Sequence, residues 1–503
     1  MQRTVSPLIF CPSWVPCFYA PMLVKEASVR CGVETPSVGG SDVCMLALIH
    51  ALGKGHVLLF RMKSMNDAPS LRQRIYEMLM ESQYWPAEQM LEFQRSQLRQ
   101  LLKHARATVP FYKTRLDCVF KKNGDMDWDR WNEIPIVTRA DLRDRRDEML
   151  STALPPGHGP TKNFSTSGST GIPITITVPG IMSTVNNEVL KRFYGLQHID
   201  NSKRIAEFNV NQKDGTPISG DCVFNIGNGE TQTSIDPGGN SQVVVSRRLL
   251  PSHKLDVLQS LNASYLSDTA TAVEILAYEN LKRANPLQID AVIGISMGVT
   301  EEQRTLNRQS LNARTVSAYS SKEGALMAFQ CGEATHFHIC SETVLLEVLD
   351  VDNRPCAIGQ AGRAVITPFF QTAQPLIRYD HGDIVTRGEK CSCGSLLPVI
   401  ARIDGRQDSI FRFPDRDVTA TGFDHGKARR LLKATTYQLA QVGPLNVEVR
   451  YICHEDLTAQ DIEMVADHLK TVLHPDLQIT FKRVIDIPFN AGGKQQRIVR
   501  EFS

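Results

Sequence analysis

Phe164-Ser165-Thr166-Ser167-Gly168-Ser169-Thr170-Gly171-Ile172-Pro173 runs directly into Ile174-Thr175-Ile176-Thr177-Val178. The first ten residues gather hydroxyls and glycines in one short loop. The next five alternate as a β-strand does and are rich in β-branched side chains. Gly168 and Gly171 can take φ > 0, so backbone N–H groups can converge, and the hydroxyls of Ser167, Ser169 and Thr170 add donors. Such a cradle suits an anion of the phosphate type. An ordinary Ser/Gly surface loop would have the same composition, and only partner motifs elsewhere in the chain separate the two. A P-loop is excluded, because its G-x-x-x-x-G-K-[ST] pattern needs a lysine where Gly171 is followed by Ile172 and Pro173. A nucleophile elbow is excluded as well, because Thr166-Ser167-Gly168-Ser169 is not Gly-x-Ser-x-Gly.

With 503 residues, 42% hydrophobic and 22% charged, the chain can bury a large core and should divide into more than one domain. A net charge of +2 leaves no broad basic field, so nucleic acid is not expected as a partner. No run approaches the roughly 18 to 20 apolar residues of a membrane span, so a soluble protein without a membrane partner is expected. Residues 1–64 carry Cys11, Cys17, Cys31, Cys44, scattered prolines and Gly39-Gly40, with no sustained period. Pro12 and Pro16 interrupt the apolar stretch that a secretory signal would need. The expectation is a disordered extension, of the kind an upstream translation start would add, with a weakly ordered regulatory tail as the alternative. Strong patterning begins near Met65.

From Leu71 to about Leu116 apolar residues fall at helical spacing, as in Leu91, Leu98, Leu101, Leu102 and Ala105. Val109-Pro110-Phe111-Tyr112 breaks the pattern, and Asp141 to Met149 again suits a helix. Further on, β-type runs such as Ala291-Val292-Ile293-Gly294-Ile295 alternate with helical stretches such as Thr271 to Arg283, which argues for an α/β body. Beyond Arg402 the pattern reads strand (Asn446 to Ile452), amphipathic helix (Thr458 to Val472) and strand (Leu477 to Ile485), a small βαβ-like unit.

Four constellations follow the loop. They are Tyr319-Ser320-Ser321-Lys322-Glu323, Tyr379-Asp380-His381-Gly382-Asp383, Gly405-Arg406-Gln407-Asp408, and Asn490-Ala491-Gly492-Gly493-Lys494. Each alone has a bland reading: a solvated acid, a β-turn, a charged turn, a solvated lysine. In this order, together with the loop, they resemble the nucleotide motifs of the adenylate-forming superfamily, which includes acyl-CoA synthetases, luciferases and peptide-synthetase adenylation domains. The segments Leu101-Leu102-Lys103-His104-Ala105, Val109 to Tyr112, Ile134-Pro135 and Asp141-Leu142 narrow the resemblance to the phenylacetate-CoA ligase-like (capsular polysaccharide CapK-like) branch.

The resemblance implies an adenylate-forming α/β fold. A large N-terminal domain of mixed sheets and helices spans 65–404, helical over about 65–150, and a small mobile α+β C-terminal domain spans 405–503. It implies that Ser167, Gly168, Ser169, Thr170 and Gly171 clamp the phosphates of ATP. Tyr319 packs near adenine, Glu323 helps hold Mg²⁺, Asp383 accepts the ribose hydroxyls, and Arg406 contacts the ribose or phosphate side. Asp408 is the hinge and Lys494 the catalytic lysine. Magnesium's preference for hard oxygen ligands and few protein carboxylates agrees with Glu323. The implied activity is AMP-forming activation of a carboxylic acid followed by transfer to CoA, in a cytoplasmic enzyme for which a homodimer is one admissible assembly. Ile410-Phe411-Arg412-Phe413-Pro414 departs from the pattern in lacking the glycine usually found shortly after the hinge, which leaves open an amine or hydroxyl acceptor. A non-catalytic relative that keeps the fold is the third reading. Aromatic and amide residues at Phe208 to Gln212 and Asn225 to Gly229 are candidate lining for the acid, whose identity the chain does not disclose.

Cys391-Ser392-Cys393-Gly394 forms a tight Cys-x-Cys knuckle, with Cys331, His336 and His338 upstream. Thiolates and imidazoles are the usual ligands of structural zinc, and reduced buried thiols are the alternative. Zinc-bearing members of the resembled branch show Cys, His, Cys-x-Cys in this order. That implies Cys331, His338, Cys391 and Cys393 as ligands, with His336 in reserve.

Overall fold

The computed structural model describes residues 69–502 apart from 167–173, 210–215, 220–222, 226–241, 247–248, 296–297, 408–409, 420–424, 454 and 489–495. The expected extension over 1–64 lies outside the described residues.

Helices α1 (Leu71–Ser82) and α2 (Ala87–Thr108) lead. The helical pattern read continuously from Leu71 is interrupted at Tyr84-Trp85-Pro86, because proline cannot continue a helix and sits instead at the start of the next one. Leu98, Leu101, Leu102 and Ala105 are buried as their spacing predicts, whereas Leu91 is exposed and its neighbour Met90 takes the inward position. Helix α3 (Arg139–Asp144) opens on a capping box in which Thr138 and Asp141 satisfy each other's backbone donors.

Strands β1 (Thr161–Thr166) and β2 (Ile174–Pro179) pair antiparallel with Thr166 opposite Ile174. Ile174, Ile176 and Val178 are buried, and the Thr177 amide donates to Gln374 Oε1 at 2.8 Å. Helix α4 (Gly180–Leu196) follows.

The body is one thirteen-stranded sheet. Its strands are β3 (Ile205–Asn209), β4 (Thr216–Ser219), β5 (Val223–Asn225), β6 (Gln242–Ser246), β7 (Tyr265–Asp268), β8 (Ala291–Ile295), β9 (Arg314–Ser321), β10 (Ala325–Gln330), β11 (Phe337–Ile339), β12 (Val344–Leu349), β13 (Ala361–Pro368), β14 (Tyr379–Arg387) and β15 (Val399–Arg406). The spatial order is β12-β13-β14-β15-β11-β10-β9-β8-β7-β3-β6-β5-β4. Around β3 and β6 to β9 the pairing is parallel, with crossover helices α5 (Pro251–Ser260), α6 (Ala270–Asn280) and α7 (Glu301–Leu311) between successive strands from β6 to β9. Parallel strands need such crossovers and are covered on both faces, which is why β8 reads as a continuous apolar run. From β9 onward the sheet is antiparallel.

After β15 come β16 (Ile410–Arg412), β17 (Asp417–Thr419), α8 (His425–Leu431), β18 (Ala434–Gly443), β19 (Asn446–Cys453), α9 (Ala459–Val472), β20 (Gln478–Arg483) and β21 (Ile498–Arg500). The last four strands form a sheet of order β20-β19-β18-β21, with α9 crossing between the parallel pair β19 and β20 as the pattern predicts. The proposed boundary at Asp404-Gly405 falls inside β15, which stays paired with β14 as far as Arg406; the next described strand starts at Ile410.

Among the described residues one ion pair is wholly enclosed. Arg192 of α4 donates through Nη1 to Glu342 Oε1 at 2.6 Å and to the Leu79 carbonyl at 2.8 Å, and Ser82 Oγ donates to the same carboxylate oxygen at 2.8 Å. Both charged side chains are 0% exposed, so α1, α4 and the turn before β12 are tied at one point. Removing one member leaves a buried charge unpaired, which costs about 3–5 kcal/mol, whereas replacing both with apolar residues is often neutral. Glu342→Ala should therefore lower stability by about 3–5 kcal/mol in urea unfolding, and Arg192→Met with Glu342→Leu should recover most of that loss.

Candidate active site

Strand β14 carries the Tyr-x-x-Gly-Asp constellation, and the N-terminal helical region holds it in place. The Tyr112 hydroxyl donates to the Pro375 carbonyl at 3.0 Å and accepts from the Ile377 amide at 3.1 Å. Val137 exchanges backbone bonds with β14: its amide donates to the Arg378 carbonyl and its carbonyl accepts from the Asp380 amide, both at 2.9 Å. Arg378 is buried at φ +53° and donates to the carbonyls of Asn132 (2.8 Å) and Ile134 (3.0 Å). Tyr112, Ile134 and Val137 thus fix the approach to β14.

Along β14 alternate residues share a face, and Tyr379, His381 and Asp383 are the buried set. The Tyr319 hydroxyl of β9 donates to Asp383 Oδ2 at 2.7 Å, and His381 Nδ1 lies 2.7 Å from the same oxygen. Arg406, at the end of β15, places Nη1 3.6 Å from Asp383 Oδ1 and donates through Nη2 to the His381 carbonyl at 3.3 Å. Strands β9 and β14 are four places apart in the sheet, about 19 Å if it were flat, so the 2.7 Å contact shows that the antiparallel half curls over onto the end of the parallel half. Gly382 makes room for this: its φ is +82°, and a Cβ there would stand 2.8 Å from Arg406 Nη2.

Burial works to raise the Asp383 carboxyl, but the His381 charge and hydrogen bond, with Arg406 and Tyr319, hold it below the usual carboxylate range. Burial works to lower His381, and Asp383 outweighs it, so the imidazole is held above its ordinary value. Burial first, and Asp383 second, push the Tyr319 phenol well up, keeping it a donor. Glu323 lies in the tight turn between β9 and β10, is 7% exposed, and its charge acts on Tyr319, Tyr379 and His381. Four residues expected from sequence, Tyr319, Glu323, Asp383 and Arg406, therefore gather at one place, at the carboxyl end of the last parallel strand, where open α/β sheets bind ligands. The Tyr319 ring is itself enclosed, 1% exposed, and its hydroxyl serves the Asp383 carboxylate.

Ser167, Gly168, Ser169, Thr170, Gly171, Asp408 and Lys494 lie outside the described residues. Phe208, expected as pocket lining, is buried in the core of the parallel half. Sequence reasoning passed over His381. Its signal is the alternation along β14, where a histidine shares the buried face with Asp383.

A second cluster stands apart from this network. Ligand atoms of Cys331, His338, Cys391 and Cys393 all lie within 4.8 Å of one another, and this set contains His338 rather than His336. Cys331 Sγ is 3.7 Å from Cys391 Sγ, and Cys393 Sγ is 3.4 Å from His338 Nε2. Bonded sulfurs would be about 2.05 Å apart. Metal–sulfur bonds of about 2.3 Å in a tetrahedron place ligand atoms roughly 3.8 Å apart, so the spacing fits a metal cage. Burial, then His336, pushes His338 down to about 4, leaving a neutral imidazole with a lone pair to offer. The backbone donates to two of the sulfurs: Glu333 N to Cys331 at 3.4 Å and Cys393 N to Cys391 at 3.3 Å. The knuckle also closes on α1, since the Leu396 amide donates to the Gln83 carbonyl at 2.7 Å.

No family model matches the chain. A phenylacetate-coenzyme A ligase of Thermus thermophilus is 24% identical over 343 residues, a match that spans 65% of this chain and 72% of that protein. Among solved structures, 2-hydroxyisobutyryl-CoA ligase in the postadenylation state in complex with 2-HIB-AMP matches with a TM-score of 0.64 at 15% identity, covering 88% of this chain and 95% of the other. The same enzyme in an open conformation with 2-HIB-AMP and CoA gives 0.52 at 15% identity, over 88% and 97%. The chain therefore has the fold of 2-hydroxyisobutyryl-CoA ligase and is similar in sequence to a phenylacetate-coenzyme A ligase.

Proposed function

We propose that the chain is an AMP-forming ligase that activates a carboxylic acid on ATP and passes the acyl group to the thiol of CoA. The observation that carries this reading is the buried network Tyr319–His381–Asp383–Arg406, built beside Glu323 in an adenylate-forming ligase fold. A carboxylate held ionised with both oxygens engaged by donors can exchange those donors for the vicinal hydroxyls of a ribose, and Arg406 supplies a cation on the same side. In the first step a carboxylate oxygen of the acid attacks the α-phosphorus and pyrophosphate leaves; in the second the thiol sulfur attacks the acyl carbon and AMP leaves. Both steps rest on positioning and charge neutralisation. Glu323 would hold Mg²⁺, which when bound neutralises phosphate charge. Ser167 to Gly171 donate to the phosphates, Lys494 stabilises the charge between carboxylate and α-phosphate, and Asp408 is the hinge between a large unit ending near Asp404 and the small one. The acid, ATP and CoA are the partners, and the proposed assembly is a homodimer.

Zinc is the metal proposed for Cys331, His338, Cys391 and Cys393, in a structural role: four protein ligands close the coordination sphere. A thiolate cage needs reduced cysteines, which agrees with a cytoplasmic setting. Among the described residues no helix is long and apolar enough to cross a membrane.

The absence of a glycine from Ile410-Phe411-Arg412-Phe413-Pro414 supports a second acceptor class. Phe411 and Phe413, in the glycine-free stretch after the hinge, are buried and stacked with ring centroids 6.2 Å apart. An amine or hydroxyl acceptor is the corresponding alternative, and it differs in leaving CoA unconsumed.

Acid-dependent pyrophosphate release, screened over aryl, amino and hydroxy acids, tests the reading, and no release with any acid or nucleotide would refute it. Lys494→Ala should lower that release by roughly 10²–10³-fold with ATP binding nearly unchanged, the loss expected when a charge-stabilising donor is removed. Asp383→Asn should instead weaken ATP by roughly ten- to a hundredfold, since a hydrogen bond to a charged group is worth about 1.5–3 kcal/mol. Metal analysis should find one zinc per chain in the parent protein and none in Cys393→Ser; a zinc-free parent would remove the metal from the account.

A further inference from the structure

The small C-terminal unit meets helix α6 of the large one through two arginines. Glu274 and Tyr278 are four residues apart on α6 and so share one face. Arg497 Nη1 stands 3.2 Å from Glu274 Oε2, and the two side chains are 14% and 4% exposed. The same carboxylate oxygen accepts from Gln303 Nε2 of α7 at 3.0 Å. Arg429 of α8 sits over the Tyr278 ring, its guanidinium carbon 3.2 Å from the centroid. On the small-unit side the Leu439 amide of β18 donates to the Arg497 carbonyl at 2.8 Å, and Gln438 Nε2 donates to the Gln496 carbonyl at 2.9 Å. Arg497 also lies over the Tyr437 ring at 5.3 Å, and the Tyr437 hydroxyl is hydrogen-bonded to His425. Arg497 is thus anchored to the small sheet by its backbone and to the large unit by its guanidinium.

An ion pair this enclosed is little screened and its loss strands a charge, so it can set an orientation that exposed contacts could not. Arg497 lies three residues along the chain from Lys494. We propose that Glu274 and Arg497 are positioning residues, a latch that holds the small unit against α6 in the orientation used for acyl-adenylate formation. The assignment to one half-reaction rests on the ligase reading above; the existence of the latch does not.

The test uses the full chain with Glu274→Gln, which keeps the side chain's shape and an amide for Gln303 but removes the charge. Backbone amides of residues 497–501 should exchange with deuterium about tenfold faster than in the parent, while those of α9 are unchanged. Pyrophosphate release at saturating acid should fall about tenfold with the KM for ATP within twofold. Consumption of a preformed acyl-adenylate by CoA should not fall. Arg497→Lys, which keeps the charge but loses the planar fork, should shift each readout in the same direction by less. Unchanged exchange at 497–501 in both variants would overturn the latch. Equal losses in the two half-reactions would overturn its assignment to the first. If the parent releases no pyrophosphate with any acid, the ligase reading fails, and the exchange data still decide whether the latch exists.

Discussion

A carboxylate taken out of water must be met by donors or charge, and the carboxylate of Asp383 sits 6% exposed at the meeting point of three strands. Its donors come from Tyr319 on β9, His381 two residues back on β14, and Arg406 on β15. None of the three can be supplied until the antiparallel half of the sheet has curled toward the parallel half, and none is of use unless β14 is in register. That register is set by Tyr112 and Val137 from the N-terminal helical region. The requirement to satisfy one buried charge therefore reaches from the N-terminal helical region to β15.

The two halves of the sheet contribute different things. The parallel half, with its crossover helices, gives a rigid platform whose carboxyl-terminal edge is open, the usual place for a ligand in an α/β sheet. The antiparallel half brings polar side chains to that edge, Glu323 from the tight turn where Ser321 faces Ala325, and Asp383 and Arg406 from the paired strands β14 and β15. Helix α6, a crossover helix in the platform, doubles as the surface on which the small unit rests. The parallel platform thereby carries the contact surface for Arg497 and Arg429, and its packing sets the geometry of that contact.

The α/β body, the small βαβ unit and the hairpin strand after the hydroxyl-rich loop were legible in the chain because each rests on local periodicity: continuous apolar runs at β8, alternation at β2 and β19, an amphipathic stripe capped by Thr458 at α9. Tyr319, Glu323, Asp383 and Arg406 were legible only as an ordered set of motifs, since no single one differs from a surface residue or a turn. His381 was missed because histidine in a strand is ambiguous until the burial of its face is known. The break between α1 and α2 was missed because apolar spacing continues across Pro86. The Glu274–Arg497 contact had no local signal at all: 223 residues separate the partners, and only the docking of two folded units brings them together.

The Cys/His cluster has a consequence for how the chain reaches this fold. Sixty residues separate Cys331 from Cys391, and between them lie β11, β12, β13 and β14. In the sheet β11 pairs with β15, so these strands form an excursion whose two ends must find each other. Loop-closure entropy for such a span rises only slowly with length but must be overcome before any of the long-range pairing is rewarded. Four side chains that converge at the mouth of the excursion act as a clasp on it. A metal joining them would make the search for the β11–β15 register a local one.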